Sequence, residues 1–408
     1  MPLPLLAWCN ETCPMNPDAT KSSDAWAVIA ALALLSIFPP LATDMYLAAI
    51  GVLAEDMGAS HAATELSLSL FFLGLCVGQL VVGPLIDGYG RRGPLLVGTL
   101  LFAVTSAALL LVNDIRLFNA LRFLQAIGAC VGMVVGRAIV SDLYAGKQAA
   151  KVLSLLVMLM TIGPVISPTL GSLLLEGFGW RSIFVTMVLV GVLAFFLARM
   201  VIPETLSKER RVSEPFRSAR VTAYNLLTKP DFLVPVLLTG LVQGGMFAFI
   251  TGSSGVFQGV YGLSTISYGL AFAAIAIALL VFGRLNTILL DRFSPGQLLT
   301  YGLPVYTLAG LATCASSMTN SIWYLIISLW LGIGLVGLLS ANAMALAMAA
   351  AKDGAGTGSA LLGAVQFGLA FAVSTSVALG GTDSALPMAL GLVIPGTVAS
   401  SLWFSVKP

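Results

Sequence analysis

Twelve stretches of about twenty residues, nearly free of charge and separated by short polar punctuation, dominate this 408-residue chain. A stretch of that length and character crosses hydrocarbon as a helix, because the helix satisfies its backbone N–H and C=O groups internally where no water is available. The composition agrees. Apolar residues make up 58% and charged residues 9%, against roughly 45–50% and about 25% in soluble domains, so a soluble fold is excluded. The runs fall at 26–50, 65–86, 95–112, 117–141, 152–175 and 182–202, then at 232–253, 267–290, 297–315, 322–348, 358–379 and 385–404. Six and six is the natural division, which predicts an all-α integral membrane protein of twelve transmembrane helices in two six-helix bundles. The predicted parts are a tail over 1–24, an N-terminal bundle over 25–202, a linker over 203–231 and a C-terminal bundle over 232–408.

Charge in the connecting segments predicts orientation. If the N-terminus is cytoplasmic, most of the basic residues share its side, among them Lys21, Arg91, Arg92, Arg199, Arg217, Lys352 and Lys407, while the opposite side receives Arg116 and Arg181. The positive-inside rule then places both termini in the cytoplasm. The linker carries Glu204, Lys208, Glu209, Arg210, Arg211, Glu214, Arg217 and Arg220, and its basic residues also suit contact with anionic lipid. No face concentrates basic residues in the manner of a nucleic-acid site. Cys9 and Cys13 lie in the tail and Cys76, Cys130 and Cys314 in apolar runs, which forms neither a metal nor a disulfide pattern. Gly128, Gly132 and Gly136 recur every fourth residue and predict close helix packing.

Charges inside the runs are costly and therefore informative. Asp44 lies late in the first run and Arg122 early in the fourth. Counted from the same interface, each is about 8–9 Å deep at 1.5 Å per residue, so the two are expected to meet. Burial favours the neutral carboxyl and a guanidinium favours the carboxylate, so Asp44 could exchange a proton as its surroundings change. The alternative is a permanent Asp44–Arg122 ion pair that only joins two helices. Arg137 and Arg284 are expected to snorkel or to pair with Asp142 and Asp291. Glu65, Asp56 and the single histidine, His61, are expected at the solvated outer surface. Gln125, Gln243, Gln258, Asn286, Asn342 and Gln366, with Tyr46, Phe247, Phe249 and Tyr268, are candidates for a largely apolar pocket with a few polar anchors.

The turn after the second run reads Gly83-Pro84-Leu85-Ile86-Asp87-Gly88-Tyr89-Gly90-Arg91-Arg92 and closely resembles the signature loop of the major facilitator superfamily. The Leu121–Gly128 segment around Arg122 resembles that family's fourth-helix motif. Gly163-Pro164-Val165-Ile166-Ser167-Pro168-Thr169-Leu170-Gly171 resembles its fifth-helix antiporter motif, and Pro203-Glu204-Thr205 the usual end of its sixth helix. Together with Ala42-Thr43-Asp44-Met45-Tyr46-Leu47, these make the chain similar to the Bcr/CflA drug-resistance branch over nearly its full length. It departs from that branch at Ala48, where proline is usual, at Ser141, and at Ser172, which replaces the second glycine of the fifth-helix motif.

The resemblance implies a monomeric, multi-pass exporter of the bacterial inner membrane. It would need no cofactor, being driven by the proton motive force, and would exchange protons for amphenicol-, bicyclomycin- or sulfonamide-type drugs. Asp44 and Arg122 would couple the proton. Asp44, Tyr46, Arg122, Gln125, Gln243 and Phe247 would bind substrate. Gly83, Asp87, Gly90, Arg91 and Arg92 would form the conformational gate, and Gly163, Pro164, Pro168 and Gly171 the antiporter motif. A metabolite exporter on the same fold, such as one for nucleosides or amino acids, is the alternative. An enzyme would need a nucleophile with its base or a metal cluster, and neither is visible.

Overall fold

The computed structural model describes residues 22–406 apart from 320, 352, 353 and 382. The expectations for the tail up to residue 21, with Cys9, Cys13 and Lys21, and for Lys352 and Lys407 lie outside the described residues. Among the described residues every regular element is helical. Twelve segments are long and apolar enough to span a membrane: Trp26–Asp56, His61–Tyr89, Arg92–Leu109, Ile115–Leu143, Lys151–Phe178, Arg181–Val201, Pro230–Val260, Thr265–Leu289, Pro295–Ser316, Ile322–Ala350, Ala355–Leu379 and Leu386–Val406. In chain order these are the first to twelfth helices. An even number of crossings puts Trp26, the start of the first, and Val406, the end of the twelfth, on one face, the terminal face; the other is the distal face.

Several helices start earlier than the apolar runs because capping residues extend them into polar sequence. Ser60 accepts the Ala63 N–H at 3.2 Å and begins the second helix at His61 rather than at residue 65. Asp114 accepts the Arg116 and Leu117 N–H groups at 2.8 and 2.9 Å and begins the fourth. The linker also holds an element that the apolar runs do not reveal. Pro215–Leu227 is a helix, with its proline in the first turn where the missing N–H costs nothing.

The first helix is irregular where it matters. A turn at Ile37 separates Ser22–Ser36 from Phe38–Asp44, and a tightened 3-10 segment, Leu47–Ala49, precedes Ile50–Asp56. The backbone therefore departs from α-geometry beside Ala48 without a proline there. The seventh helix ends in a π segment, Gly255–Val260.

Helices one to six pack together, as do seven to twelve, and the halves meet mainly through the second helix on the eleventh and the fifth on the eighth. The seventh and fourth helices bury 72% and 67% of their apolar windows and are central, whereas the twelfth buries 28% and is peripheral. Its outward side chains, including Ile394 and Val398, are left for lipid. Small residues permit the closest crossings. A Cβ on Gly128 would lie 2.7 Å from the Phe102 backbone nitrogen, and one on Gly132 would lie 3.0 Å from the Leu35 carbonyl. Gly136 has no neighbour closer than 3.9 Å, so only the first two carry the predicted close approach.

Candidate functional site

Asp44 and Arg122 are both buried, at 1% and 0% exposure, yet they form no ion pair. The helix explains why. Ala42 and Tyr46 are four residues apart and share a face, whereas Asp44, two residues from each, is turned about 200° away at 3.6 residues per turn. Arg122 engages the Ala42–Tyr46 face. It donates to the Ala42 carbonyl at 2.8 Å and to Gln125 Oε1 at 2.6 Å, and its guanidinium carbon lies 4.9 and 4.6 Å from the Tyr46 and Phe71 ring centres. The predicted meeting of the two charges is replaced by an arginine held by neutral groups inside the first bundle.

Gln125 continues that network, donating to Ser106 Oγ at 2.7 Å and contacting Met187 Sδ at 3.5 Å. Tyr46 accepts from Ser67 at 3.0 Å and packs against Phe118 and Phe184. Arg122, Gln125 and Tyr46 thus point into the first bundle. Of the six residues assigned to substrate, Asp44, Gln243 and Phe247 are the ones outside this network.

Among the described residues Asp44 has one side-chain hydrogen-bond partner, Thr43. Thr43 Oγ1 is 2.9 Å from Asp44 Oδ1 and also 2.9 Å from the Pro39 carbonyl. One hydroxyl proton serves one of these acceptors at a time. A protonated Asp44 donates to Thr43 while Thr43 donates to Pro39, which satisfies all three oxygens; an ionised Asp44 competes with the carbonyl. The Leu47–Ala49 segment just after Asp44 packs on the seventh and eighth helices, and Tyr268 of the eighth lies within electrostatic reach of the carboxyl, which sets Asp44 close to the seam between the bundles.

At the seam the predicted candidates Tyr268, Gln258 and Phe247 are joined by hydroxyls of Ser69, Thr251, Ser253 and Ser374, which the sequence does not single out. Ser374 Oγ lies 2.8 Å from Ser69 Oγ and 2.7 Å from Thr251 Oγ1, which links the second, eleventh and seventh helices. Ser253 Oγ and the Tyr268 hydroxyl are 2.9 Å apart, and Gln258 donates to the Ala48 carbonyl at 3.4 Å. Phe247 packs on Phe72 and Phe367 at 4.6 and 6.0 Å, making an aromatic layer below these hydroxyls. Gln243 stands one helical turn from Phe247 on the same face. Asn342 donates to Asn286 at 2.7 Å and so joins the tenth helix to the eighth within the second bundle.

The fifth helix packs through its motif. A Cβ on Gly163 would lie 2.6 Å from Pro40, and one on Gly171 would overlap the Met45 carbonyl oxygen. Pro164 and Pro168 lie within the helix, and Thr169 donates to the Gly269 carbonyl of the eighth at 3.2 Å. Ser172, in place of glycine, donates to Pro168 O at 2.9 Å.

On the terminal face Arg91 donates to Asp87 at 2.7 Å and to Asp142 at 3.1 Å, and Thr205 donates to Asp142 at 2.8 Å. Glu204 accepts the Arg91 and Arg92 N–H groups at 2.7 and 3.3 Å, while Arg92 caps the sixth helix through the Arg199 carbonyl at 2.7 Å. Gly90 has φ +97°, and a side chain there would strike Glu204 and Arg211. Gly83 faces Ala360 of the eleventh helix, where an added Cβ would sit in ordinary contact at 3.8 Å. Asp142 is therefore the partner of Arg91 rather than of Arg137, which reaches Ser359 of the eleventh helix at 3.5 Å. Among the described residues every polar partner of Arg91 belongs to the first bundle or the linker, so the charges of the loop brace that bundle while Gly83 at its start faces the second. Part of Glu204 is buried, which favours its neutral form, but the Arg91, Leu206 and Arg92 N–H groups and the Arg211 charge together hold its carboxyl below the usual range.

Of the two outer carboxylates, Glu65 differs from expectation and Asp56 is solvated as expected. Glu65 is buried at 1% exposure, with His61 Nδ1 3.4 Å from its Oε1. Asp56 is exposed but engaged by Arg181 at 3.2 Å and by the Trp180 indole at 3.0 Å. Among the described residues no group of three His, Cys, Asp or Glu could hold a metal ion.

Two six-helix halves meeting along a seam of buried polar groups define a multi-pass membrane carrier. The chain belongs to the Major Facilitator Superfamily, whose model matches residues 32–375. It is 32% identical over 92% of its length to the Bacillus subtilis MFS-type transporter YdgK, covering 94% of that protein. It is 30% identical to a bicyclomycin resistance protein homolog of Haemophilus influenzae over 90% of this chain and 93% of that one. A chloramphenicol resistance protein of Pseudomonas aeruginosa is 31% identical over 68% of this chain and 66% of that one. The fold matches a D-xylose–proton symporter with TM-score 0.75 at 14% identity, covering 94% of this chain and 98% of that one.

Proposed function

We propose that this chain exports small amphiphilic drugs of the amphenicol, bicyclomycin or sulfonamide type across the bacterial inner membrane in exchange for protons, as a monomer with both termini in the cytoplasm. The observation that carries the reading is Asp44: a carboxyl buried at the seam, beside a broken stretch of helix, with no cation paired to it. An unpaired buried carboxylate is costly, so charge on Asp44 belongs to the states in which water or a polar substrate reaches the seam. The resistance named in two relatives supports a drug as cargo. Contacts cross the seam at the terminal level, Gly83 to Ala360, at the middle, Gln79 to Gly363, and toward the distal face, Ser69 to Ser374 and Thr169 to Gly269. This is an arrangement closed on both sides, from which either face opens by rocking one bundle on the other.

One proton moving down 100 mV supplies about 2.3 kcal/mol, which sustains roughly a fortyfold outward ratio of a neutral drug at one proton per molecule. The Ser69, Ser374 and Thr251 hydroxyls and the Phe72, Phe247 and Phe367 rings provide polar anchors and an apolar wall for such a molecule. The metabolite alternative uses the same hydroxyls for a more polar cargo. Proton release from purified protein on adding amphenicols, bicyclomycin, sulfonamides or nucleosides tests both. Release by a drug that disappears in Asp44→Asn is expected. Release by nucleosides alone favours the metabolite, and release unchanged by the substitution removes Asp44 from the coupling.

A further inference from the structure

Glu65 is the second carboxylate buried at the seam. His61, Glu65, Ser69 and Phe72 follow one face of the second helix at spacings of three and four. Ser69 meets Ser374 of the eleventh helix and Phe72 meets Phe247 of the seventh, so Glu65, one turn distal to Ser69, faces the second bundle rather than solvent. Its Oε1 and His61 Nδ1 are both buried and neither completes a hydrogen bond in this closed arrangement, although they stand 3.4 Å apart. The His61 side chain keeps 29% exposure while Glu65 has 1%, so the imidazole is the part of the pair that water reaches.

The groups around the pair leave Glu65 without a permanent counter-charge. From the first helix come Tyr46, within electrostatic reach, and the exposed Glu55 and Asp56, the latter held by Arg181. The fourth helix presents Arg122, already committed to Gln125 and the Ala42 carbonyl. The eighth presents Tyr268, within reach of both Glu65 and Asp44. The seventh and eleventh helices supply Thr251 and Ser374 and no charged residue in their distal halves. The charged groups of the linker helix, of the third helix and of the start of the seventh lie at the opposite face.

We propose that Glu65, supplied through His61, is a second proton-binding carboxylate of the transport cycle, distinct from Asp44 and placed at the distal mouth of the seam. The transfer is a simple exchange. A proton taken from distal water makes His61 an imidazolium; its Nδ1–H passes to Glu65 Oε1, leaving a neutral imidazole and a neutral carboxyl. The neutral carboxyl can remain buried between the bundles, whereas the carboxylate favours parting them so that water reaches it. Proton loading and distal closure are thereby the same event. The role in the cycle rests on the antiport reading above; the binding of a proton does not.

Infrared difference spectra of the purified full chain between acidic and alkaline buffer separate the two. Wild type should show two titrating bands of desolvated carboxylic acid, one missing in Asp44→Asn and the other in Glu65→Gln. His61→Gln should keep the Glu65 band and move the pH at which it titrates. Spectra of Glu65→Gln identical to wild type, or a Glu65 band whose titration pH His61→Gln leaves unchanged, overturn the assignment. Substrate-driven proton release then reads the cycle: fewer protons per substrate in Glu65→Gln supports the coupling role, and an equal number removes it. Two bands without any substrate-driven release in wild type would sink the antiport reading while leaving Glu65 a proton site.

Discussion

Arg122 and Asp44 show how far residue chemistry can be read before side-chain direction is known. Their depth and their rarity as intramembrane charges were legible in the sequence, because charge in an apolar run stands out. That they face away from one another was not, since depth along a helix does not fix rotation about its axis. Arg122 holds Ala42 and Gln125 with a planar fork and stacks on two rings, work a lysine ammonium does not reproduce. Arg122→Lys should therefore lower stability by about 1–3 kcal/mol, the cost of leaving a buried partner unsatisfied, read as a lower thermal midpoint in detergent. Glycines make a second contrast. Gly171→Ala puts a methyl into the Met45 carbonyl and should cost roughly 1–3 kcal/mol as an overpacked contact, with transport reduced. Gly83→Ala, with 3.8 Å to its nearest neighbour, should leave the thermal midpoint and transport near wild type. The burial of Glu65 is not legible because its apolar run starts at that residue and the capped turn before it, from His61, looks like loop sequence; the Ser69–Ser374–Thr251 anchors are not legible because a serine or threonine in a helix more often bonds its own preceding turn, as Thr239 does with Pro235.

At the level of elements, the apolar runs located all twelve crossings, since length and the absence of charge suffice to define a span. They failed at edges and irregularities: the first helix extends to Asp56 through a 3-10 turn, and the linker helix Pro215–Leu227 is too polar to register as an apolar run. The signature turn shows what such polar segments do. Val212 of the linker donates to the Asp87 carbonyl at 3.0 Å, and Glu204 gathers the Arg91 and Arg92 N–H groups, so the turn and the linker are tied together. The carboxyl of Glu204 is held below its ordinary range in the folded protein. A depressed carboxyl contributes stability that is present above its unfolded value and is lost as pH falls through the folded one. Acidification below the normal glutamate range should thus loosen this turn, and hydrogen exchange at the Arg91 and Arg92 amides should accelerate there more in wild type than in Glu204→Gln, whose neutral side chain does not titrate.

At the scale of the molecule, the two bundles move usefully only if the seam between the second and eleventh helices separates at one face and then the other. Gln79 lies against Gly363, and a Cβ placed on Gly368 would stand 3.5 Å from Cys76 Sγ, so side chains of the second helix pack directly onto glycines of the eleventh along their middle. That proximity offers a direct test of rocking. In a background with Cys9, Cys13, Cys130 and Cys314 replaced by serine, Gly368→Cys puts a second thiol beside Cys76 at a separation a disulfide can span. Oxidation should fasten the bundles together and stop transport, and a reductant should restore it. A cross-linked carrier that still transports would mean the middle of the seam stays shut throughout the cycle, with the substrate passing along the fifth and eighth helices instead. Asp44 and Tyr268 lie toward that second seam and Glu65 toward the first, so the cross-link also asks whether the two carboxyls need both seams to open. If they do, the fastened protein should lose the slow, opening-dependent part of its proton exchange at Glu65 and keep the unfastened level only after reduction.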